Sequence, residues 1–479
     1  MFGDISYNSF CNYISFFAIF VLMFFIGSNK KYKNFLISLF FSSFVILELL
    51  SISFVRENIN EEFLFFLTNI EIYHLTLSTT ILIVYYFFLF FVFLWIVFYF
   101  ILNNLQIQKF RKIKYIFFLI LCIPNCFFYN IFRLTFYDYV YSYFKYHDKT
   151  YQEIFQIAKN EDYVEKDNLM IFNQNEKHKN LVLIYLESYD QSLLDNEQIK
   201  PYTKNINQLT KENFTYKNME QESGCWGTVP GIICSQCGLK YNTFYLIKNP
   251  YGKVRNTQLV CLGDILNLAN YNQIFIGGAD KKLFNKGNFL LSHNYSVEDK
   301  DSLLSKYPDL NESINDWGVP DYDIFEIAKE KYLELSKLNK PFNINVLTTA
   351  THNPNGIYDK RCPNTSDEKL LNAVECTDYL VNDFINFLKQ QKNFKDTLII
   401  VMPDHIQYEV NALNKTIKTD EKKLYSIIIN GNNNDIKGNM YYTEFPSMIL
   451  QNLNIQTNAN FLGHDVENNL VKHFIHKIH

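Results

Sequence analysis

Nearly all long, uncharged apolar runs of this 479-residue chain lie before residue 133. A helix that crosses the roughly 30 Å hydrocarbon core of a bilayer needs about 20 apolar residues. Runs near that length are Ser9–Gly27, Phe35–Val55, Leu77–Leu102 and Tyr115–Phe132. A cleavable signal peptide would account only for the first of them. We therefore predict a transmembrane domain of about four α-helices within residues 1–132.

The basic residues predict how these helices are oriented. Lys30, Lys31 and Lys33 lie between the first two spans, and four further basic residues lie between 109 and 114, before the fourth. Loops rich in Lys and Arg face the cytoplasm, so both termini should lie outside the cytoplasmic membrane. Residues 133–178 are expected to form a helical stalk, and residues 179–479 a domain on the outer side of a bacterial inner membrane. The small net charge of −4 indicates no nucleic-acid partner.

The C-terminal part alternates between short apolar runs and longer helical patterns. The runs are Leu181–Ser188, Gln273–Gly277, Phe342–Thr348, Thr397–Met402 and Tyr425–Ile429. Helical stretches such as LGDILNLANY, DIFEIAKEKYLELSK and EKLLNAVECTDYLVNDFINFLKQ separate them. This alternation predicts an α/β domain with a central, mostly parallel sheet flanked by helices. Ligands of such sheets bind at the carboxyl ends of the strands.

Polar residues with metal-binding chemistry follow three of these predicted strands. Glu187 ends the first, His352 follows NINVLTTAT, and Asp404 and His405 follow TLIIVMP. Carboxylates and neutral imidazoles are suitable ligands for Zn²⁺ or Mn²⁺. A helix cap or a surface position is the alternative for each residue alone, and adjacent Asp404 and His405 are the stronger indication.

Thr228 lies in a glycine-flanked turn within QESGCWGTVPGIICSQCGLKYN. Pro230 fits the first turn of a helix, and the N-terminus of a helix attracts negative charge through its free N–H groups. A hydroxyl that is bound to a divalent cation at such a position would be a nucleophile. A simple N-cap is the alternative, and the local pattern by itself favours it.

Seven segments occur in the order in which a known family has them. They are LVLIYLESYD, GTVPGIICSQCGL, CLGDILNLANYNQIFIGGAD, KGNFLLSHNY, NDWGVPDYDIF, TATHNPNGIY and LIIVMPDHI. With them the chain resembles the membrane phosphoglycerol transferases of the alkaline phosphatase and sulfatase superfamily. Within that family it is most similar to the glucan-modifying branch, and lipoteichoic acid synthases are more distant relatives. The four-span anchor is similar as well.

This resemblance implies a role for each matched residue at the metal. Glu187, Thr228, Asp404 and His405 would bind one divalent ion, expected to be Mn²⁺, with Zn²⁺ or Mg²⁺ as alternatives. Thr228 would also be the catalytic nucleophile.

The resemblance also implies a binding site for the substrate headgroup. His352 would bind phosphoglycerol, and Trp317 of NDWG would lie nearby, with a structural role as the alternative for Trp317. Lys286 of KGNF could contact phosphate, but the sequence favours an ordinary surface lysine.

The implied reaction transfers phosphoglycerol from phosphatidylglycerol to a cell-envelope glycan or polymer. It releases diacylglycerol and proceeds through a covalent threonine intermediate. GCWGTVPG differs from the glucan-modifying relatives, which leaves the acceptor open. A phosphoethanolamine transferase of the same fold is the closest alternative, and a non-enzymatic membrane sensor or scaffold is a different class. A sulfatase is disfavoured because no Arg follows at the C/S-x-P-x-R spacing.

Six of the nine cysteines lie in the C-terminal domain, where an oxidising exterior permits disulfides. The sequence alone leaves their connectivity open. Cys234 and Cys237 form a C-x-x-C, which can indicate a redox pair or half of a zinc site. Both are disfavoured, and there is no second C-x-x-C to complete a zinc site. By resemblance, Cys237 and Cys261 are structural cysteines, and Cys362 with Cys376 are a second candidate disulfide.

Overall fold

The computed structural model describes residues 92–93, 95–96, 164, 166–222, 224–240, 259–352, 355–407, 422–431, 440–461 and 463. The chain divides into two compact units, Met1–His147 and Asp148–His479. In the first unit the four described residues are helical, and the rest of the four predicted spans lies outside the described residues. No helix within the described ranges combines the length and the apolar character that crossing a membrane requires.

A mixed sheet of seven described strands forms the centre of the second unit. The strands are β1 (Asn180–Leu186), β2 (Phe214–Met219), β3 (Asn272–Gly277), β4 (Ser296–Glu298), β5 (Phe342–Leu347), β6 (Thr397–Pro403) and β7 (Leu424–Ile429). Their order across the sheet is β2-β7-β6-β1-β5-β3-β4. β7 runs antiparallel to β6 and β2, and the other neighbouring strands pair in parallel.

Helices connect these strands. In the described part of the unit they are α1 (Gln191–Asp195), α2 (Lys204–Glu212), α3 (Thr228–Cys237), α4 (Leu262–Leu268), α5 (Lys286–Ser292), α6 (Lys300–Lys306), α7 (Asp321–Ser336), α8 (Lys369–Lys389) and α9 (Phe445–Leu453). Capping residues set several of their first turns. Asp190 and Asp299, for example, accept backbone N–H groups at the starts of α1 and α6, which satisfies donors that have no partner within the helix.

The central strand β1 is buried along its whole length. On one face, Val182 and Ile184 lie in an apolar core that includes Phe325 of α7 and Phe384 of α8. On the other face, the hydroxyl of Tyr185 is 2.7 Å from that of Ser235 in α3. Because helices cover both faces, the strand forms from a continuous apolar run rather than an alternating one.

The structure confirms the five predicted strands, the helices between them and a mostly parallel sheet, and it adds two strands. β2 and β4 were not predicted, because FTYKNM and SVE lack the continuous apolar character of the inner strands. The reversed direction of β7 was not predicted either. Direction is a property of pairing, which an apolar run does not encode.

Three disulfides join the cysteines of the described part of the second unit. Cys237–Cys261 and Cys362–Cys376 confirm the two predicted pairs, whereas Cys225–Cys234 was not predicted. The two cysteines of the C-x-x-C therefore have different partners, which excludes a redox pair formed between them.

Candidate metal centre and active site

Glu187 and Asp404 lie side by side at the carboxyl edge of the sheet. Each follows the last residue of its strand, and β1 and β6 pair in parallel with Leu186 opposite Pro403. The backbone N–H of Asp404 donates to the carbonyl of Leu186 at 3.0 Å. His405 is the next residue, and all three predicted ligands are buried. The register of two neighbouring strands thus brings them together.

Thr228 begins α3 and points its hydroxyl at this edge. The preceding Gly227, with φ of 98°, is the N-cap residue, a backbone conformation that glycine adopts without steric cost. Thr228 Oγ1 donates to Glu187 Oε2 at 3.1 Å. The predicted helix start is confirmed, with Pro230 in the first turn. The alternative that Thr228 is a simple N-cap is wrong, because Gly227 occupies that position.

Helix α3 approaches the end of β6 at van der Waals distance. A Cβ atom on Gly231 would lie 2.1 Å from the carbonyl oxygen of Asp404. Any larger residue would push the helix away from the sheet. The glycine therefore allows the first turn of α3, and Thr228 with it, to reach the carboxylates.

We call Glu187, Asp404 and His405 the carboxylate–histidine cluster. One potential ligand atom of each lies within 4.8 Å of the others. His405 Nε2 is 3.3 Å from Glu187 Oε1 and 3.6 Å from Asp404 Oδ2. His405 Nδ1 is 2.7 Å from the carbonyl oxygen of Ile406, which can only accept a hydrogen bond. In the neutral ring Nδ1 is therefore protonated, and Nε2 carries the lone pair that a metal would use.

The hydrogen bonds of Asp404 satisfy only one of its two oxygens. Oδ1 accepts from the backbone N–H groups of Ser188 at 2.9 Å and His405 at 2.8 Å. Oδ2 is buried and accepts no hydrogen bond from the described residues. Burying an anionic oxygen in this way is costly unless a cation completes its environment. Two carboxylates, an imidazole and a hydroxyl suit Mn²⁺ or Zn²⁺, so these residues fit the divalent metal that the resemblance implies.

The charges of the cluster are coupled. Burial and the neighbouring Glu187 raise the pKa of Asp404 to about 7. Burial alone would raise the pKa of Glu187, but His352 and His405 hold it below its usual range. Burial alone would lower the pKa of His405, but Asp404 and Glu187 raise it to about 9. A divalent cation would supply the same positive charge as these protons, and its binding would release them.

Two threonines after β5 hold the backbone of Glu187. The hydroxyl of Thr348 accepts from the Glu187 N–H at 2.9 Å, and the hydroxyl of Thr351 donates to the Glu187 carbonyl. Sequence analysis did not single them out. The sequence pattern that could have indicated them is TTATH directly after a predicted strand. Threonine hydroxyls at such positions commonly form hydrogen bonds with nearby backbone groups.

His352 and Trp317 contact each other near the cluster. Their ring centroids are 4.0 Å apart, with an angle of 41° between the ring planes. His352 follows β5, which pairs with β1 on the side opposite β6, and its charge affects Glu187. The two residues are thus neighbours, as predicted, and their role in headgroup binding stays a prediction.

Lys286 is buried rather than exposed, so the prediction of an ordinary surface lysine is wrong. It is the first residue of α5, only 6% exposed, and its Nζ lies 5.9 Å from the centroid of the Phe275 ring. Burial lowers the pKa of Lys286, whereas Glu187 and Asp404 favour its charged form. The lysine therefore adds positive charge to the site region. KGNF contains no apolar pattern that would have indicated its burial.

Comparisons with known proteins agree with this fold. The sulfatase family matches residues 179–452, which is more than half of the chain. The chain therefore belongs to the sulfatase family, and the predicted superfamily is confirmed.

Individual relatives agree with this assignment. Phosphoglycerol transferase I of Escherichia coli O157:H7 (strain EC4115 / EHEC) is 32% identical over 262 residues, which are 52% of this chain and 34% of that protein. The chain thus matches about one-third of the length of these curated relatives. The lipoteichoic acid synthase LtaP from Listeria monocytogenes superposes with a TM-score of 0.52 at 16% identity, covering 66% of this chain and 81% of that structure. At this identity the likeness shows the fold alone.

Proposed function

We propose that this chain is a metal-dependent phosphotransferase that transfers phosphoglycerol from phosphatidylglycerol to a glycan or polymer of the cell envelope. One observation carries the proposal: Thr228 Oγ1, at the N-terminus of α3, donates to Glu187 Oε2 at 3.1 Å. A hydroxyl nucleophile, a proton acceptor and the candidate metal ligands are thus in contact, as covalent catalysis requires.

In the first step, Thr228 Oγ1 attacks the phosphorus of the lipid, and its proton passes toward Glu187 Oε2. The Oγ1–P bond forms while the bond from phosphorus to the diacylglycerol oxygen breaks, and that oxygen leaves with the proton that Glu187 passes on from Thr228. Backbone N–H groups at the start of α3 would bind phosphoryl oxygens. A divalent cation held by Glu187, Thr228, Asp404 and His405 would lower the pKa of the threonine hydroxyl and offset phosphoryl charge.

In the second step, an acceptor hydroxyl attacks the phosphoglycerol that Thr228 carries. The new P–O bond forms to the acceptor oxygen, the Oγ1–P bond breaks, and the proton that the acceptor hydroxyl loses is transferred to Thr228 Oγ1. Two successive displacements remove the need to bind donor and acceptor at once. The acceptor is a glycan or polymer bearing a free hydroxyl.

Charge in the headgroup region favours glycerol over ethanolamine. Glu187 and Asp404 favour the charged form of Lys286, and a lysine ammonium in this region would repel the ammonium group of ethanolamine. The His352 ring also stacks on Trp317, covering an aromatic face that could otherwise attract a cation. Glycerol is a neutral polyol, so it is not repelled by positive charge and does not need an aromatic face that attracts a cation. Phosphatidylglycerol is therefore the better donor, and phosphatidylethanolamine is the alternative.

The proposed location is the outer face of the bacterial cytoplasmic membrane. The four predicted spans in residues 1–132 would keep the catalytic domain beside its lipid donor. This arrangement limits the search for donor to the membrane surface.

The nucleophile is tested with the purified full chain, Mn²⁺ and vesicles that contain phosphatidylglycerol labelled in its headgroup. Thr228→Ala should lower diacylglycerol release by at least about 10³-fold, because residues that act as nucleophile account for losses of that size. Without acceptor, the parent should carry the label on residue 228, which intact-mass and peptide analysis would detect.

Thr210→Ala is the matched control, because the one described hydrogen bond of the Thr210 hydroxyl goes to a backbone carbonyl of its own helix, that of Asn207. Labelling or full turnover in Thr228→Ala would contradict the nucleophile assignment. Faster transfer from phosphatidylethanolamine than from phosphatidylglycerol would contradict the assignment of phosphoglycerol as the transferred group. A parent chain with neither bound metal nor diacylglycerol release would instead favour the non-enzymatic scaffold.

A further inference from the structure

Asp321, the first residue of α7, is a carboxylate whose described hydrogen bonds all go to the segment after β5. It is 4% exposed. Its Oδ1 accepts from the Thr349 N–H at 2.8 Å and from the Thr349 hydroxyl at 3.2 Å. Its Oδ2 accepts from the Ala350 N–H at 2.8 Å. The carboxylate thus fixes two consecutive peptide units of this segment.

The segment 348–352 connects Asp321 to the candidate active site. Its first residue, Thr348, accepts from the Glu187 N–H, and Thr351 donates to the Glu187 carbonyl. Its last residue is His352, the candidate headgroup ligand. The peptide units that Asp321 holds therefore lie between the contacts to Glu187 and next to the turn that presents His352.

A second contact joins the same two parts of the chain. Trp317, four residues before Asp321, stacks on His352. Between them, the Val319 N–H donates to the Gly278 carbonyl at 3.0 Å after β3, which anchors this stretch to the sheet. Residues 315–321 thus hold the segment 348–352 at its backbone through Asp321 and at its histidine ring through Trp317.

Burial disfavours the ionised form of Asp321 relative to its protonated form in the folded chain. Its described contacts include no cation, and only N–H groups, a hydroxyl and the N-terminus of α7 offset its burial. Burial, together with the charge of Glu187, raises its pKa to about 6. A carboxyl with a raised folded-state pKa contributes stability while protonated, and this contribution is lost as the pH rises through that value.

We propose that Asp321 is a positioning residue for the transfer reaction, because its carboxylate holds the 348–352 segment so that His352 meets the donor headgroup beside Glu187. This inference rests on the proposed function. Asp321 itself does not touch the substrate; it acts through His352.

Asp321→Asn and Asp323→Asn form a matched pair for the test. Both remove one negative charge from the first turn of α7, but Asp323 bonds to Arg361 at 2.7 and 2.8 Å instead of to the 348–352 segment. In the full chain, Asp321→Asn should raise KM for phosphatidylglycerol about tenfold to 100-fold and change kcat less, because small misplacements of a binding group have effects of that size. Its melting temperature should fall as well, because the amide nitrogen of Asn cannot accept from the buried Ala350 N–H.

Asp323→Asn should also lower the melting temperature but leave the kinetics unchanged, because it breaks the ion pair with Arg361 away from the site. A merely structural role for Asp321 predicts that its variant loses stability instead of affinity. Parent-like kinetics in Asp321→Asn, or the same rise of KM in Asp323→Asn, would overturn the proposal.

Tryptophan emission tests the positioning without any assay of transfer. Stacking on His352 should quench Trp317, so Asp321→Asn should change the emission of the chain. The change should vanish when Asp321→Asn is combined with Trp317→Phe. This measurement separates a failure of the positioning role from a failure of the proposed function. If phosphatidylglycerol is not a substrate, an altered Trp317 emission still supports the positioning role. Unchanged emission overturns the positioning role.

Discussion

In its described part, the second unit contains two fully buried clusters of three potential metal ligands each. One is the carboxylate–histidine cluster described above. The other, the cysteine–histidine cluster, consists of Cys237, Cys261 and His293, and its potential ligand atoms also lie within 4.8 Å of one another. Both are buried, and both lie near an end of α3.

The side chains of the cysteine–histidine cluster are already bonded to other groups of the protein. Cys237 and Cys261 are joined in a disulfide, which removes the thiolates that a metal would bind. His293 Nδ1 lies 2.7 Å from Asp264 Oδ2, and Lys166 Nζ lies 2.8 Å from Asp264 Oδ1. Burial alone would raise the pKa of Asp264, but His293 and Lys166 lower it. Its charge is balanced within the protein.

The carboxylate–histidine cluster differs in the balance of its charges and hydrogen bonds. Asp404 Oδ2 is buried without a hydrogen bond from the described residues, and the pKa of Asp404 is raised to about 7 instead of lowered. The contrast shows that ligand-type residues in proximity do not define a metal site. What distinguishes the two clusters is whether the protein already satisfies the charges it buries.

The largest effect expected from this contrast is the loss of metal in Asp404→Asn. Full-length protein should fall from about one bound metal per chain to almost none, and transfer should fall at least about 100-fold, because even outer-shell partners of a metal have effects of that order. Metal analysis and diacylglycerol release measure the two quantities.

Asp264→Asn is the matched control in the other cluster. It should lower the melting temperature, because the ion pair with Lys166 is lost, and leave metal content unchanged. Metal retained in Asp404→Asn, or lost in Asp264→Asn, would reverse the assignment of the two clusters.

An intermediate effect is expected from Gly231→Ala. The new Cβ would lie 2.1 Å from the Asp404 carbonyl, so α3 must shift and move Thr228 with it. Overpacking of this kind costs about 1–3 kcal/mol of stability, and the displaced nucleophile should lower kcat/KM about 10–100-fold. Thermal melts and steady-state kinetics measure both.

Gly277→Ala is the control for this change, because a Cβ there meets its nearest neighbour at 3.4 Å, an ordinary contact. It should leave kcat/KM close to the parent value. Equal activity of the two alanine variants would show that the approach of α3 to Asp404 does not matter for the site.

The smallest effect on metal binding is expected from the double variant Cys237→Ser/Cys261→Ser. Removing this cross-link should lower the free energy of unfolding by about 3 kcal/mol, the usual contribution of a disulfide with a loop of this length. Metal content should not change, because these residues bind none. Metal analysis together with chemical denaturation tests the expectation, and a loss of metal without unfolding would contradict it.

The sequence by itself determined the inner strands and the candidate ligands at their ends. LVLIYL and TLIIVMP are continuous apolar runs, and the structure has β1 and β6 there, followed directly by Glu187 and by Asp404 and His405. Strands buried on both faces must be apolar throughout, so this information is local and can be read from the chain. The helix start at Thr228 was readable for the same reason, because glycine and proline act on their immediate neighbours.

Family resemblance supplied what local patterns did not. It singled out which residues would share one metal, and it paired Cys237 with Cys261. Spacing along the chain does not predict which residues share a site. Glu187 and Thr228 are 41 residues apart in the sequence, yet their side chains form a hydrogen bond.

Only the tertiary structure decided the direction of β7, the Cys225–Cys234 disulfide, the burial of Lys286 and the role of Asp321 as a backbone anchor. Each depends on which distant surfaces meet. A lysine or aspartate has the same local sequence signal whether solvent or another segment covers it. Its charge acquires a function only when packing removes the water around it, because burial makes an unbalanced charge costly.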